Sequence, residues 1–113
     1  MIDVEHIRTF ALSLPEAHEE GHWGKPSFRV RKRIFASVGD EPGVLILKIP
    51  VDDQEVLLEA APDAFVTNAW SKQGWLGARL DVIEQGFLEE LLEEAWRRIA
   101  PKRAHKALDE QRG

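Results

Sequence analysis

Between Gly21 and Gly39 the chain places Lys25, Arg29, Arg31, Lys32 and Arg33 and no acid, in a protein of 113 residues with a formal net charge of −5. Cations gathered at that density attract phosphate locally, while the acidic remainder keeps the chain soluble and repels polyanions. Trp23 stands at the head of the run, and an indole face can stack on a base. Just upstream, His18-Glu19-Glu20-Gly21-His22 spells H-E-x-x-H. In zinc proteases that pattern needs a helix, because i, i+4 spacing on one helical face aims both imidazoles at one metal. Here Pro15, Gly21 and Pro26 interrupt the segment and no apolar helical period runs through it. In extended form His18, Glu20 and His22 share a face as surface or sheet-edge residues, and no metal site is assigned to them. Ser13, Ser27, Ser37 and Ser71 lie in no G-x-S-x-G elbow, and there is no glycine-rich phosphate loop. The residues therefore define a basic, aromatic binding segment, with no catalytic residue and no cofactor assigned.

Those side chains need elements to hold them. Over Ser27–Arg33 the alternation turns Phe28 and Val30 one way and Arg29, Arg31 and Arg33 the other. Ile34 to Val38 is apolar and β-prone, so the two runs predict a hairpin with its turn near Arg31 to Arg33, without the glycine or asparagine that tight turns favour. Gly39-Asp40-Glu41-Pro42-Gly43 is a turn, and Val44 to Ile49 predicts a central strand closed by Pro50. Ahead of the hairpin, Asp3 can cap a helix reaching Ser13, with Val4, Ile7, Ala11 and Leu14 on one face and Pro15 at its end.

Beyond the central strand, Asp52 or Asp53 can cap a short helix containing Val56, Leu57 and Leu58, stopped by Pro62. Phe65–Thr67 and Gly74–Leu80 predict two more strands, the second interrupted by Gly77. Leu88, Leu91, Leu92, Ala95 and Ile99 make one apolar helical face, opened by a capping-box pair at Asp81 and Glu84. Along that helix the acids Glu89, Glu90, Glu93 and Glu94 precede Arg97 and Arg98, as the helix dipole favours. A last short helix is expected over Lys102 to Gln111, and Arg97, Arg98, Lys102, Arg103 and Lys106 read as dipole complement and solvated tail. Trp75 and Trp96 are expected at the core or its edge, and Trp23 and Trp70 along a groove.

The composition sets the frame. The length fits a single domain over residues 1–113, and 43% hydrophobic residues suffice for one packed core. The absence of cysteine removes disulfides, thiolate catalysis and zinc sites built on sulfur. With no basic leader and no long apolar run, the expectation is a soluble, cytoplasmic protein without a membrane partner. The element order is helix, three strands, helix, two strands, helix, which predicts an α+β domain with helices packed on an antiparallel sheet.

Leu14-Pro15, Glu19-Glu20, Trp23-Gly24-Lys25-Pro26-Ser27-Phe28-Arg29-Val30 and Arg33-Ile34-Phe35-Ala36 occur in that order, followed by Pro62-Asp63-Ala64-Phe65, Trp70, Gly74-Trp75, Ala95-Trp96 and Pro101-Lys102-Arg103. Over nearly its whole length the chain resembles the MmcQ/YjbR family. The resemblance implies a two-layer fold, α-β(3)-α-β(2)-α with helices on one face, similar in shape to secretion chaperones. It implies DNA binding through β-wings and brings no agreed catalytic residues. Many relatives carry Gly-Lys at the first hairpin tip, where this chain has Arg31-Lys32-Arg33. The leading expectation is a non-catalytic module that binds nucleic acid through Lys25, Arg29, Arg31, Lys32, Arg33 and Trp23. The alternative is a protein-interaction module using an open sheet face, and an enzyme comes third.

Overall fold

The computed structural model describes all 113 residues. Helix α1 (Val4–Ser13) starts where the Asp3 carboxylate accepts the His6 backbone N–H, and it buries Ile7 and Ala11 on one face. Six strands follow around a second helix: β1 (Ala17–His22), β2 (Lys25–Val30), β3 (Arg33–Val38), β4 (Val44–Lys48), α2 (Val51–Ala60), β5 (Phe65–Val66) and β6 (Trp75–Arg79). Helices α3 (Gln85–Ile99) and α4 (Lys102–Arg112) close the chain. The strands form one antiparallel sheet in the order β1-β2-β3-β4-β6-β5. This is the expected two-layer α+β architecture with one strand more at the start. β1 has no apolar alternation to announce it, because it is an edge strand carrying His18, Glu19, Glu20 and His22. No helix is long and apolar enough to cross a membrane.

Registers decide which side chains face the helices. Phe28 pairs with Ala36, Ala36 with Leu47, and Leu47 with Leu76, so these share the helix-covered face. Phe28 opposes Ala36 while Arg29 opposes Ile34, which makes Phe35 the extra residue of a β-bulge. The bulge lets Phe35 and Ala36, neighbours in sequence, both sit in the core. Above them α3 contributes Leu88, Leu91, Leu92, Ala95, Trp96 and Ile99, all buried, as the apolar period predicts. Trp96 is fully buried and its indole N–H donates to the Pro15 carbonyl at 3.0 Å, tying α3 to the link between α1 and β1. α4 returns along α3 through buried Ala104 and Leu108 and through the Arg97–Asp109 ion pair.

Three local expectations are corrected. α2 starts from Pro50 without a side-chain cap, with Asp52 and Asp53 inside its first turn, where they complement the dipole. α3 starts at Gln85, so Glu84 alone caps it by accepting the Gly86 and Phe87 N–H groups, and Asp81 lies too far upstream to form a box. Gly77 does not interrupt its strand. β6 runs straight through it, because Val44 and Val66 close over the position and a Cβ there would stand 2.8 Å from a methyl of each.

Candidate functional site

The sheet's other face carries His18, Glu20 and His22 of β1, then Lys25, Ser27 and Arg29 of β2, in register. The H-E-x-x-H residues are thus extended, with His18 Nε2 2.8 Å from a Glu20 carboxylate oxygen. No three His, Asp or Glu side chains gather closely enough to hold a metal ion. The Glu20 carboxyl is held below its ordinary value, first by the His18 hydrogen bond and then by the charges of Arg29 and Lys32. On the far side of the same strand Glu19 pairs with Arg8 of α1 at 2.6 Å, and its carboxyl is lowered by that bond.

Two turns bring left-handed backbone to residues that rarely adopt it. In the β1–β2 turn His22 pairs with Lys25, and both central residues, Trp23 (φ 56°) and Gly24 (φ 80°), have positive φ. That is the pattern of a type I′ hairpin, where asparagine normally fills the first position. In the β2–β3 turn Val30 pairs with Arg33 and Arg31 alone has positive φ, at 58°. The turn does without the favoured glycine, since an arginine stands where glycine would cost nothing. It also corrects the expected basic face. Arg29 pairs with Ile34 on the open face, Arg33 pairs with Val30 on the opposite side, and Arg31 and Lys32 form the tip.

The basic residues differ in what surrounds them. Arg29 is largely engaged: its Nε donates to Ser27 Oγ at 3.0 Å and lies 3.9 Å from Glu20. Arg8, Arg79, Arg97, Arg98, Arg103 and Arg112 also form ion pairs with carboxylates. Of the nine arginines only Arg31 and Arg33 form none, and both stand exposed at the β2–β3 tip with Lys32 between them. In the C-terminal basic group Arg97, Arg98 and Arg103 are neutralised by Glu93, Asp109, Asp53 and Glu16, and Lys102 and Lys106 are without an ion pair. The guanidinium of Arg103 holds the Glu16 carboxyl low, with a smaller contribution from Arg31.

A trough of about 610 Å³ lies in the open face, floored by Ile34, Ser37, Ile46, Val66 and Trp75. Trp23 and Trp70 stand on its rims, 89% and 66% exposed. Trp75 is half-buried on this open face, under the Lys48 ammonium at 4.8 Å from the ring centre. Lys25 and His22 line the trough near Trp23, and Asp40 and Glu41 of the β3–β4 turn line it at the same end of the sheet. The loop bearing Trp70 is fixed from below: buried Gln54 donates to the carbonyls of Ile49 and Ser71, and Ser71 Oγ accepts the Asn68 N–H. Sequence reasoning named Trp23, Trp70 and Lys25 but missed Asn68 and the strand β1. Gly24 was the available signal, since glycine two residues before Pro26 marks the turn that a preceding strand must feed.

The chain matches the YjbR family model over residues 12–98. No curated protein matches it. Among solved structures it is similar to that of the Deinococcus radiodurans protein DR2400, described with a DUF419 domain, at 24% identity and a TM-score of 0.78, covering 96% of this chain and 89% of that one. That likeness concerns the fold.

Proposed function

The chain belongs to the YjbR family, and from that premise we propose that it is a nucleic-acid-binding module whose main contact is the β2–β3 hairpin. Arg31, Lys32 and Arg33 meet phosphates at the tip, and Arg29 and Lys25 extend the contact along the open face of β2 toward Trp23. One observation carries the reading: seven of the nine arginines are spent on carboxylates, and the two left over share one turn. Surface ion pairs contribute only about 0–1 kcal/mol each, so stability gives little reason to crowd unpaired cations there, against mutual repulsion. Contacts made by a single basic hairpin of an acidic protein give weak binding with little sequence preference, with a Kd near the 10⁻⁴ M end of about 10⁻⁴–10⁻⁶ M.

Fluorescence anisotropy of a labelled oligonucleotide across a salt series tests it. Replacing Arg31, Lys32 and Arg33 together by alanine should flatten the dependence of log K on log salt by about one unit per lost phosphate contact. An unchanged slope would remove the hairpin from the interface. The apolar floor of Ile34, Ile46 and Val66 favours a second reading, docking of a protein segment on the open face. Such binding would be nearly independent of salt.

A further inference from the structure

We infer that the trough holds the unpaired bases of a single strand, so that the preferred ligand is single-stranded rather than duplex nucleic acid. The inference rests on the hairpin reading above and assigns the rest of the strand's path. Trp23 is the first observation. A bulky residue in left-handed backbone is strained by about 1–2 kcal/mol, and this one holds its indole 89% exposed. Neither the turn nor the core gains from that choice, whereas a flat aromatic face presented to solvent is what a base stacks on. Trp70 offers a second such face on the other rim, on a loop that Gln54 and Ser71 hold still. From β2 to β5 the sheet crosses four interstrand steps of about 4.8 Å, roughly 19 Å, which is too broad for one base and suits a run of them.

The polar groups orient the strand. Lys25, His22 and Trp23 lie at the end of the sheet where the β3–β4 turn also brings Asp40 and Glu41, and the cations continue from Lys25 along β2 to Arg29 and the hairpin tip. Glu41 is partly neutralised by Arg79 at 3.7 Å, and Asp40 has no ion-pair partner. Phosphates are therefore drawn along β2 toward Arg29 and the tip, away from the carboxylates beside Lys25, which can accept the exocyclic amines of neutral bases. Asn68 stands beside Trp70 in the trough lining. Its Oδ1 accepts the Trp70 N–H at 2.7 Å, which fixes the amide's orientation, and its Nδ2 is buried without a hydrogen-bond partner.

The test uses the full chain and four labelled probes of one length: a mixed-sequence single-stranded DNA, its duplex, an abasic strand with the same phosphates, and the RNA of the same sequence. The wild type should bind the single strand more tightly than the duplex or the abasic strand, with quenching of tryptophan fluorescence. Trp23→Ala and Trp70→Ala should each weaken single-strand binding about 5- to 100-fold, the range of one stacked base. They should leave abasic-strand binding unchanged, and Trp23→Phe should restore most of the loss. The RNA arm tells whether the strand is DNA or RNA. Equal binding of single strand, duplex and abasic strand would overturn the trough inference and leave the hairpin reading standing. No binding of any probe at low salt would overturn both and give the trough to a protein segment.

Discussion

One sheet presents two faces built from the same strands, and they are composed on opposite terms. Beneath α1 and α3, Phe28, Val30, Phe35, Leu45, Leu47, Leu76 and Ala78 are almost wholly buried. Across the sheet, residues one step away in sequence are Arg29, Ile34, Ile46, Lys48, Trp75 and Gly77, together with the rim residues Trp23 and Trp70. The first face satisfies packing, with every large side chain enclosed. The second mixes cations, indoles and aliphatic groups in a way that packing alone does not require. Stability therefore resides mainly in the covered face, and the open face is free to serve a ligand.

Substitutions on the two faces should consequently separate stability from binding. The largest stability effect is expected under α3. Leu92→Ala removes a side chain 1% exposed in the middle of the core and should cost about 2–5 kcal/mol, read from the denaturant midpoint. An unchanged midpoint would show that α3 does not buttress the sheet. Next comes a position where the open face is packed as tightly as the core. Gly77→Ala puts a Cβ 2.8 Å from Val44 and Val66 methyls and 3.0 Å from the Val66 carbonyl oxygen, and should cost about 1–3 kcal/mol as overpacking does. A neutral result there would mean that β5 yields, and the trough wall with it.

Trp23→Asn should move the two properties in opposite directions. Asparagine suits the first position of a type I′ turn, so chemical denaturation should show a gain of up to about 1 kcal/mol, while single-strand affinity falls. Loss of stability together with affinity would mean that the indole packs for the fold after all. The smallest effect is one of pH. Arginine and histidine partners hold Glu16, Glu19 and Glu20 below the ordinary glutamate value of 4.5. A depressed folded-state pKa stabilises above the unfolded value and is lost as pH falls through the folded one. The midpoint should therefore be flat from neutrality down to about 4.5 and decline below it, and Arg8→Met should shrink that decline by releasing Glu19. A decline already complete above pH 5 would assign acid sensitivity to other groups.

How much was legible follows the same division. The covered face announced itself, since Leu88, Leu91, Leu92, Ala95 and Ile99 repeat at helical spacing and Val44 to Ile49 is apolar throughout. The edge strand β1 did not, because a strand with one free edge and a charged open face has no alternation of apolar residues to show. The arginine face was misread for a definite reason. Period-2 alternation holds only while a strand continues, and here the chain turns at Arg31 and Lys32, sending Arg29 and Arg33 to opposite sides. The bulge at Phe35 broke the same rule on the partner strand. Which cations lack partners was legible only in part: Glu93 and Glu94 stand four residues before Arg97 and Arg98, but Asp109, Asp53 and Glu16, which also neutralise Arg97, Arg98 and Arg103, are distant in the chain.

The proposed division of the sheet into a face for folding and a face for binding can be tested residue by residue. Backbone amide chemical shifts recorded during titration with a single-stranded oligonucleotide would map the interface directly. The account predicts perturbations at the β1–β2 turn around Trp23, along β2 to the Arg31–Arg33 tip, and at Asn68 to Trp75, with α3 and α4 unmoved. Perturbations centred on Arg97 to Lys106, with the hairpin and the trough silent, would contradict it.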